Sequence, residues 1–138
     1  MRSPSSLIAY VGCRTTSERR AKGRGLVVYA IDGSSTWAEL QVVSGLRNPS
    51  YLCPHPALPV LYAVHGDFSE ISTFAIAQDG TLQKLAEQST CGVNPVHLAV
   101  SPSLRWLLVA NYASGNVVSM KIGASGELGA VSHVLAFE

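Results

Sequence analysis

The chain has 138 residues, 47% of them hydrophobic and 14% charged, with a formal net charge of +1; a soluble chain usually carries about 25% charged residues. A balance so near neutral, with no basic stripe, excludes a general nucleic-acid footprint, and no apolar run approaches the ~18 residues of a membrane helix. Three cysteines, Cys13, Cys53 and Cys91, form no C-x-x-C pair and suggest neither a disulfide framework nor a zinc site, so plain buried or half-buried thiols are expected.

Residues 1–12 contain one arginine and only a short apolar stretch at 7–11, too little for a secretory signal. Cytoplasm is the expected compartment. From residue 7 onward the chain divides into short β-branched and apolar runs bounded by Gly, Pro, Asp and Ser, the signals of strands and turns, and almost nothing reads as helix. Strands are predicted at 7–13, 25–31 and 39–44, with Asp32-Gly33-Ser34-Ser35 turning between the last two. Four more follow at 48–53, 60–65, 71–76 and 82–88, and another four at 94–101, 106–111, 117–122 and 128–135, eleven in all. The runs 96–100 and 106–110 are nearly continuous in apolar character, as for strands covered on both faces. The run 71–76 alternates instead. Asp79-Gly80 and Ser125-Gly126 fall where tight hairpins need a positive φ.

These elements repeat. Residues 48–85 return without a gap as 94–131: Asn48-Pro49 as Asn94-Pro95, Leu52 as Leu98, Pro56 as Pro102, Leu58 and Leu61 as Leu104 and Leu107, and Ile76, Gly80 and Leu82 as Ile122, Gly126 and Leu128. A 46-residue period built of short strands is the mark of a propeller array, in which each unit buries its faces only against its neighbours. The fold class is all-β, with blades of four-stranded antiparallel sheets in units of about 7–45, 46–90 and 91–138. The first unit lacks an innermost strand and the end faces carry no cap, so a fragment of a longer chain, or one protomer of an assembly that completes a ring, is expected.

Several stretches are specific enough to name a family. Tyr10-Val11-Gly12, 25–29, Asn48-Pro49-Ser50-Tyr51-Leu52 and, most specifically, 92–102 followed by 105–112 resemble the opening of the lactonase family of seven-bladed propellers, which includes 6-phosphogluconolactonases and carboxy-cis,cis-muconate cyclases. The resemblance implies about three of seven blades. Ser103-Leu104 and Ala57-Leu58-Pro59 stand where the family commonly has Asp-Gly, in turns that tolerate exchange. It also implies that much of the catalytic His, Arg and acidic set lies in later blades.

Strand alternation places the polar candidates. If successive strands run to and fro across the disc, the connections into each innermost strand share one face with the loops leaving each second strand. Asn48, Asn94 and His97 then lie with Arg14, His65, Asn111 and Tyr112. His97 is the candidate catalytic base, since neutral imidazole can take a proton from water attacking a lactone carbonyl; the plain alternative is a packed histidine, and its counterpart one repeat earlier is Tyr51. The others are candidate substrate-binding groups, set against structural turn roles for Asn48 and Asn94 and loop solvation for His65, which matches Asn111. His55 and His133 map to the opposite face and to an outer strand, with no function assigned. The loop 14–24 carries Arg14, Arg19, Arg20, Lys22 and Arg24 against Glu18, a net +4 suited to steering an anion or simply to solvation.

No metal-ligand spacing, dinucleotide fingerprint or Ser-His-Asp order occurs, and no cofactor is expected. The resemblance implies a small anionic lactone as substrate, 6-phosphogluconolactone foremost, with lactonisation of a carboxymuconate as the alternative. A non-catalytic propeller segment that binds further blades or self-associates through exposed blade faces is the reading from a different class.

Overall fold

The computed structural model describes residues 7–138. Among these residues eleven strands form, each within two residues of its predicted span at either end. They are β1 (Leu7–Gly12), β2 (Leu26–Ile31), β3 (Trp37–Val43), β4 (Pro49–Pro54), β5 (Val60–His65), β6 (Glu70–Ile76), β7 (Leu82–Ser89), β8 (Pro95–Val100), β9 (Trp106–Asn111), β10 (Asn116–Ile122) and β11 (Leu128–Ala136). A single 3-10 turn, Ser17–Arg19, interrupts the loop after β1. Sequence reading missed it, because three residues are too few to carry a helical period.

The strands make three antiparallel meanders, β1-β2-β3, β4-β5-β6-β7 and β8-β9-β10-β11. The repeat extends to irregularities. A register shift between Pro49 and Tyr51 returns between Pro95 and His97, and one between Thr73 and Phe74 returns between Ser119 and Met120. Such bulges sharpen the local twist, so the second and third sheets share a shape as well as a pattern. First strands of neighbouring sheets converge, β1 on β4 and β4 on β8, whereas β7 and β11 barely touch. The sheets therefore fan outward from one edge, an arc of a β-propeller.

Two apolar layers hold the arc together. One, between the first and second sheets, contains Leu26, Val28, Leu61, Ala63 and Phe74. The other, between the second and third, contains Val60, Tyr62, Val64, Leu107, Val109 and Met120. β5 serves both layers by period-2 alternation, and all six of its residues are buried. β9 has the same apolar run but a neighbouring sheet on one face only. Leu107 and Val109 are buried there, while Trp106 and Leu108 remain 38% and 42% exposed, so the cover on both faces expected at 106–110 is not met; nor is it at 96–100, where Val96 is exposed. The alternation expected at 71–76 is also not seen as burial: Ile71, Ser72, Thr73 and Phe74 are all buried, since this strand too lies between two sheets and carries the Thr73/Phe74 shift.

Two directed contacts fix the spacing of the sheets. The Tyr10 hydroxyl donates to the Gly80 carbonyl at 2.8 Å, and the Tyr62 hydroxyl to the Gly126 carbonyl at 2.7 Å, each reaching the hairpin turn of the next sheet. Gly80 and Gly126 hold φ of 88° and 91°, which glycine adopts without the steric cost of a Cβ. Cys13 and Cys53 are half-buried as expected, but Cys91 is exposed, on a left-handed residue (φ 52°) where β7 turns toward β8.

Candidate functional site

The connections into β4 and β8 do gather with the loops that leave β1, β5 and β9. The Gly66 amide donates to the Asn48 carbonyl (2.9 Å), the Asn94 amide to the Phe68 carbonyl (2.7 Å) and the Tyr112 amide to the Asn94 carbonyl (2.9 Å). Asn48 and Asn94 hold φ of 41° and 56°. Asparagine tolerates this left-handed backbone better than most residues, which accounts for its return at both positions.

Asn48 is fully buried, and its amide is spent inside the protein. Its Oδ1 accepts from the Thr15 and Thr16 amides (2.8 and 3.2 Å), and its Nδ2 donates to the Gly66 carbonyl (3.1 Å). Asn94 Oδ1 accepts from the Asp67 amide at 2.8 Å. In each case the side chain clasps the loop of the preceding sheet.

His65 is 2% exposed and lies with Nδ1 2.5 Å from the Arg47 carbonyl and Nε2 2.7 Å from Ser72 Oγ. A carbonyl only accepts, so Nδ1 carries a proton; Ser72 Oγ also lies 3.2 Å from Oε2 of the exposed Glu87, which brings the chain to the surface. Asn111, likewise 2% exposed, accepts from Thr90 Oγ1 (2.9 Å) and donates to the Thr90 carbonyl and Asn116 Oδ1. Asn48, His65 and Asn111 thus support the loops and present no free polar atom to solvent, because the equivalent places in the repeat lie beneath the loops rather than at their crests.

The surface is left to Arg14, Tyr112 and His97. Tyr112 is 76% exposed. Arg14 crosses Gly66 to reach Asp67 Oδ2 at 2.7 Å, and a Cβ on Gly66 would stand 3.2 Å from the guanidinium nitrogens, so glycine clears its path. Only one of its five guanidinium N–H donors is spent there, and no other hydrogen bond of this side chain is made among the described residues. His97 is exposed, makes no hydrogen bond among the described residues, and rests its ring on that of Tyr51, centroids 4.8 Å apart.

Asp67 follows His65 in the loop that leaves β5, and although the sequence singles it out for no role, it organises this face. Besides Arg14 it accepts from Arg19 Nε (2.7 Å) and Nη2 (2.5 Å), and it sits at φ 69°. The Arg19 hydrogen bonds foremost, then the charge of Arg14, hold its carboxyl below the usual range. Its signal was an acid placed opposite a +4 loop. Arg24 pairs with Glu39, so much of that loop charge is balanced locally, while Arg20 and Lys22 stay exposed. Among the described residues no group of three or more His, Cys, Asp or Glu could hold a metal, and no helix is long and apolar enough to cross a membrane.

This geometry has parallels. The family model described as lactonase, 7-bladed beta-propeller, matches residues 8–138. The 6-phosphogluconolactonase of Bacillus subtilis (strain 168) is 26% identical over 125 residues, which cover 88% of this chain and 35% of that protein. A crystal structure from Bacteroides fragilis, provisionally described as a 6-phosphogluconolactonase, superposes with a TM-score of 0.83 at 28% identity over 97% of this chain and 37% of that one. A second, from Bacteroides uniformis and described in the same provisional terms, gives a TM-score of 0.82 at 25% identity over 95% and 38%. The chain therefore spans little more than a third of the length of these relatives.

Proposed function

The chain belongs to the lactonase family of seven-bladed β-propellers, and from that premise we propose that it forms three blades of a hydrolase acting on a sugar lactone, best 6-phosphogluconolactone. The observation that carries this reading is His97: an exposed imidazole on the innermost strand of its sheet, without a hydrogen bond among the described residues and steadied by Tyr51.

In the proposed reaction a water molecule gives a proton to the neutral His97 ring as its oxygen attacks the lactone carbonyl. The tetrahedral intermediate collapses by breaking the ring C–O bond, and the departing alkoxide takes the proton back. A neutral imidazole can take and return a proton in this way at neutral pH. Arg14 would hold an anionic oxygen through charge-assisted N–H donors, with Tyr112 at the rim and Asn94 fixing the loop around them. Asn48, His65 and Asn111 would act through the loops they tie down. Lactonisation of a carboxymuconate needs the same anion recognition, so the two substrates belong in one assay; a cytoplasmic setting fits the first. Lactone hydrolysis above the spontaneous rate, lost in His97→Ala, is the expected result. Full activity in that variant refutes the site.

One observation favours a second reading. Val96, Trp106 and Leu108 leave apolar surface on the third sheet, which suits packing against another blade or a second copy. A chain that sediments as a discrete oligomer and hydrolyses no lactone would favour a non-catalytic assembly segment.

A further inference from the structure

On the opposite face of the disc a cleft of about 320 Å³ opens between the second and third sheets, walled by His55, Leu58, Leu104, Arg105, Ile122 and Gly123. We propose that this cleft binds a small organic monoanion, its apolar body against Leu58, Leu104 and Ile122 and its carboxylate on Arg105, with the His55 Nε2–H as a second donor. The proposal does not rest on the lactone chemistry, which concerns the other face.

His55 supplies the first argument. Its Nδ1 accepts from the Ala57 and Leu58 amides, both at 3.0 Å. A ring nitrogen that accepts carries no proton, so the neutral ring keeps its proton on Nε2. That atom is shielded from solvent and has no hydrogen-bond partner among the described residues. Buried donors are nearly always satisfied, and a small turn of the ring toward the cleft it lines lets a bound acceptor make the bond that folding left unmade.

Charge supplies the second. Arg105 is exposed and forms no ion pair among the described residues, and no acidic side chain lines the cleft. The neighbouring acid, Glu127, is folded back onto the Ser125 amide (3.0 Å) and hydroxyl (2.6 Å). A guanidinium offers a planar fork that fits a carboxylate through two bonds.

Leu104 supplies the third. Its φ of 61° is the left-handed conformation that glycine takes freely and a bulky side chain resists. Leu58, its counterpart one repeat earlier, is free of that conformation, yet both line the cleft. The third sheet thus keeps a leucine at a strained place where it completes an apolar wall.

The test uses the 15N-labelled chain titrated by NMR at neutral pH with hexanoate, with hexanamide as the uncharged counterpart and inorganic phosphate as the anion without an apolar body. Hexanoate is expected to give saturable shifts at the Ala57, Leu58, Gly123 and Ala124 amides and at His55 Nε2. Hexanamide and phosphate should each bind roughly tenfold more weakly. Arg105→Gln, at an exposed position, should weaken hexanoate roughly tenfold and leave hexanamide unchanged. Equal affinity for hexanoate and hexanamide, equal affinity for phosphate, or no saturable shift in the unaltered chain overturns the proposal without any variant. An Arg105→Gln chain that binds hexanoate undiminished overturns it too.

Discussion

Tyr51 and His97 occupy the same position in successive repeats, and their rings meet across the innermost strands at 4.8 Å between centroids, with planes tilted by 48°. The contact leaves both imidazole nitrogens open while limiting how the ring can turn. His97→Ala should therefore lower kcat for lactone hydrolysis by about 10²–10⁴-fold, the usual worth of a general base. Tyr51→Leu keeps the base and loosens it, so a smaller fall is expected. Kinetics of both variants check this, with circular dichroism to show that the sheets persist.

Asn48 is a buried clasp between the first and second sheets, and its replacement should be felt as stability. Asn48→Ala strands the Thr15 and Thr16 amides and places a Cβ-bearing residue without a side-chain partner at φ 41°. A loss of about 2–4 kcal/mol is expected. Asn94→Ala gives up one side-chain bond, to the Asp67 amide, and should cost about half as much. Urea unfolding of the two variants side by side reads the ranking, and equal costs would contradict it.

The contrast between these residues and His97 shows what was legible in the sequence. Glycines at 80 and 126, the Asn-Pro pairs and the apolar runs are local signals, and they sufficed for eleven strands and for the face on which the loops gather. Depth is not local. His65 and Asn111 match in the repeat as loop residues, but only the packed sheets reveal that both lie under the loops with every polar group engaged. Asp67 was equally opaque, since its partners Arg14 and Arg19 are 53 and 48 residues away in the chain. Leu104 was noted as a departure from Asp-Gly, and its positive φ is the physical form of that departure.

Asp67 gives a pH dependence. Its carboxyl is held below the usual range by Arg19 first and Arg14 second, so the stabilisation is present in full above the ordinary aspartate pKa of about 3.9 and is lost as pH falls through the lowered folded value. At pH 7 Asp67→Asn should be less stable by about 1–2 kcal/mol, a modest figure because the partners are partly solvated. Below about pH 3.9 the gap should close. Denaturant midpoints measured from pH 7 to pH 3 follow it, and a gap independent of pH would rule out the ionised clamp.

Tyr62 reports the alkaline side. Burial first, then the charges of Cys53 and Glu127, push its hydroxyl up to about 12, while an unfolded tyrosine titrates near 10. Between those values the unfolded chain gives up a proton that the folded chain keeps. The contribution is thus intact below about pH 10 and drains away as pH rises toward 12. Absorbance near 295 nm should show Tyr62 ionising late, coincident with unfolding. Tyr62→Phe should remove that step and flatten the alkaline fall in stability. At neutral pH it should cost about 1–2 kcal/mol, because the buried Gly126 carbonyl loses its donor from the neighbouring sheet. A variant that titrates like the unaltered chain would mean that Tyr62 is not sealed between the second and third sheets, and the stacked arrangement around it would fall with that result.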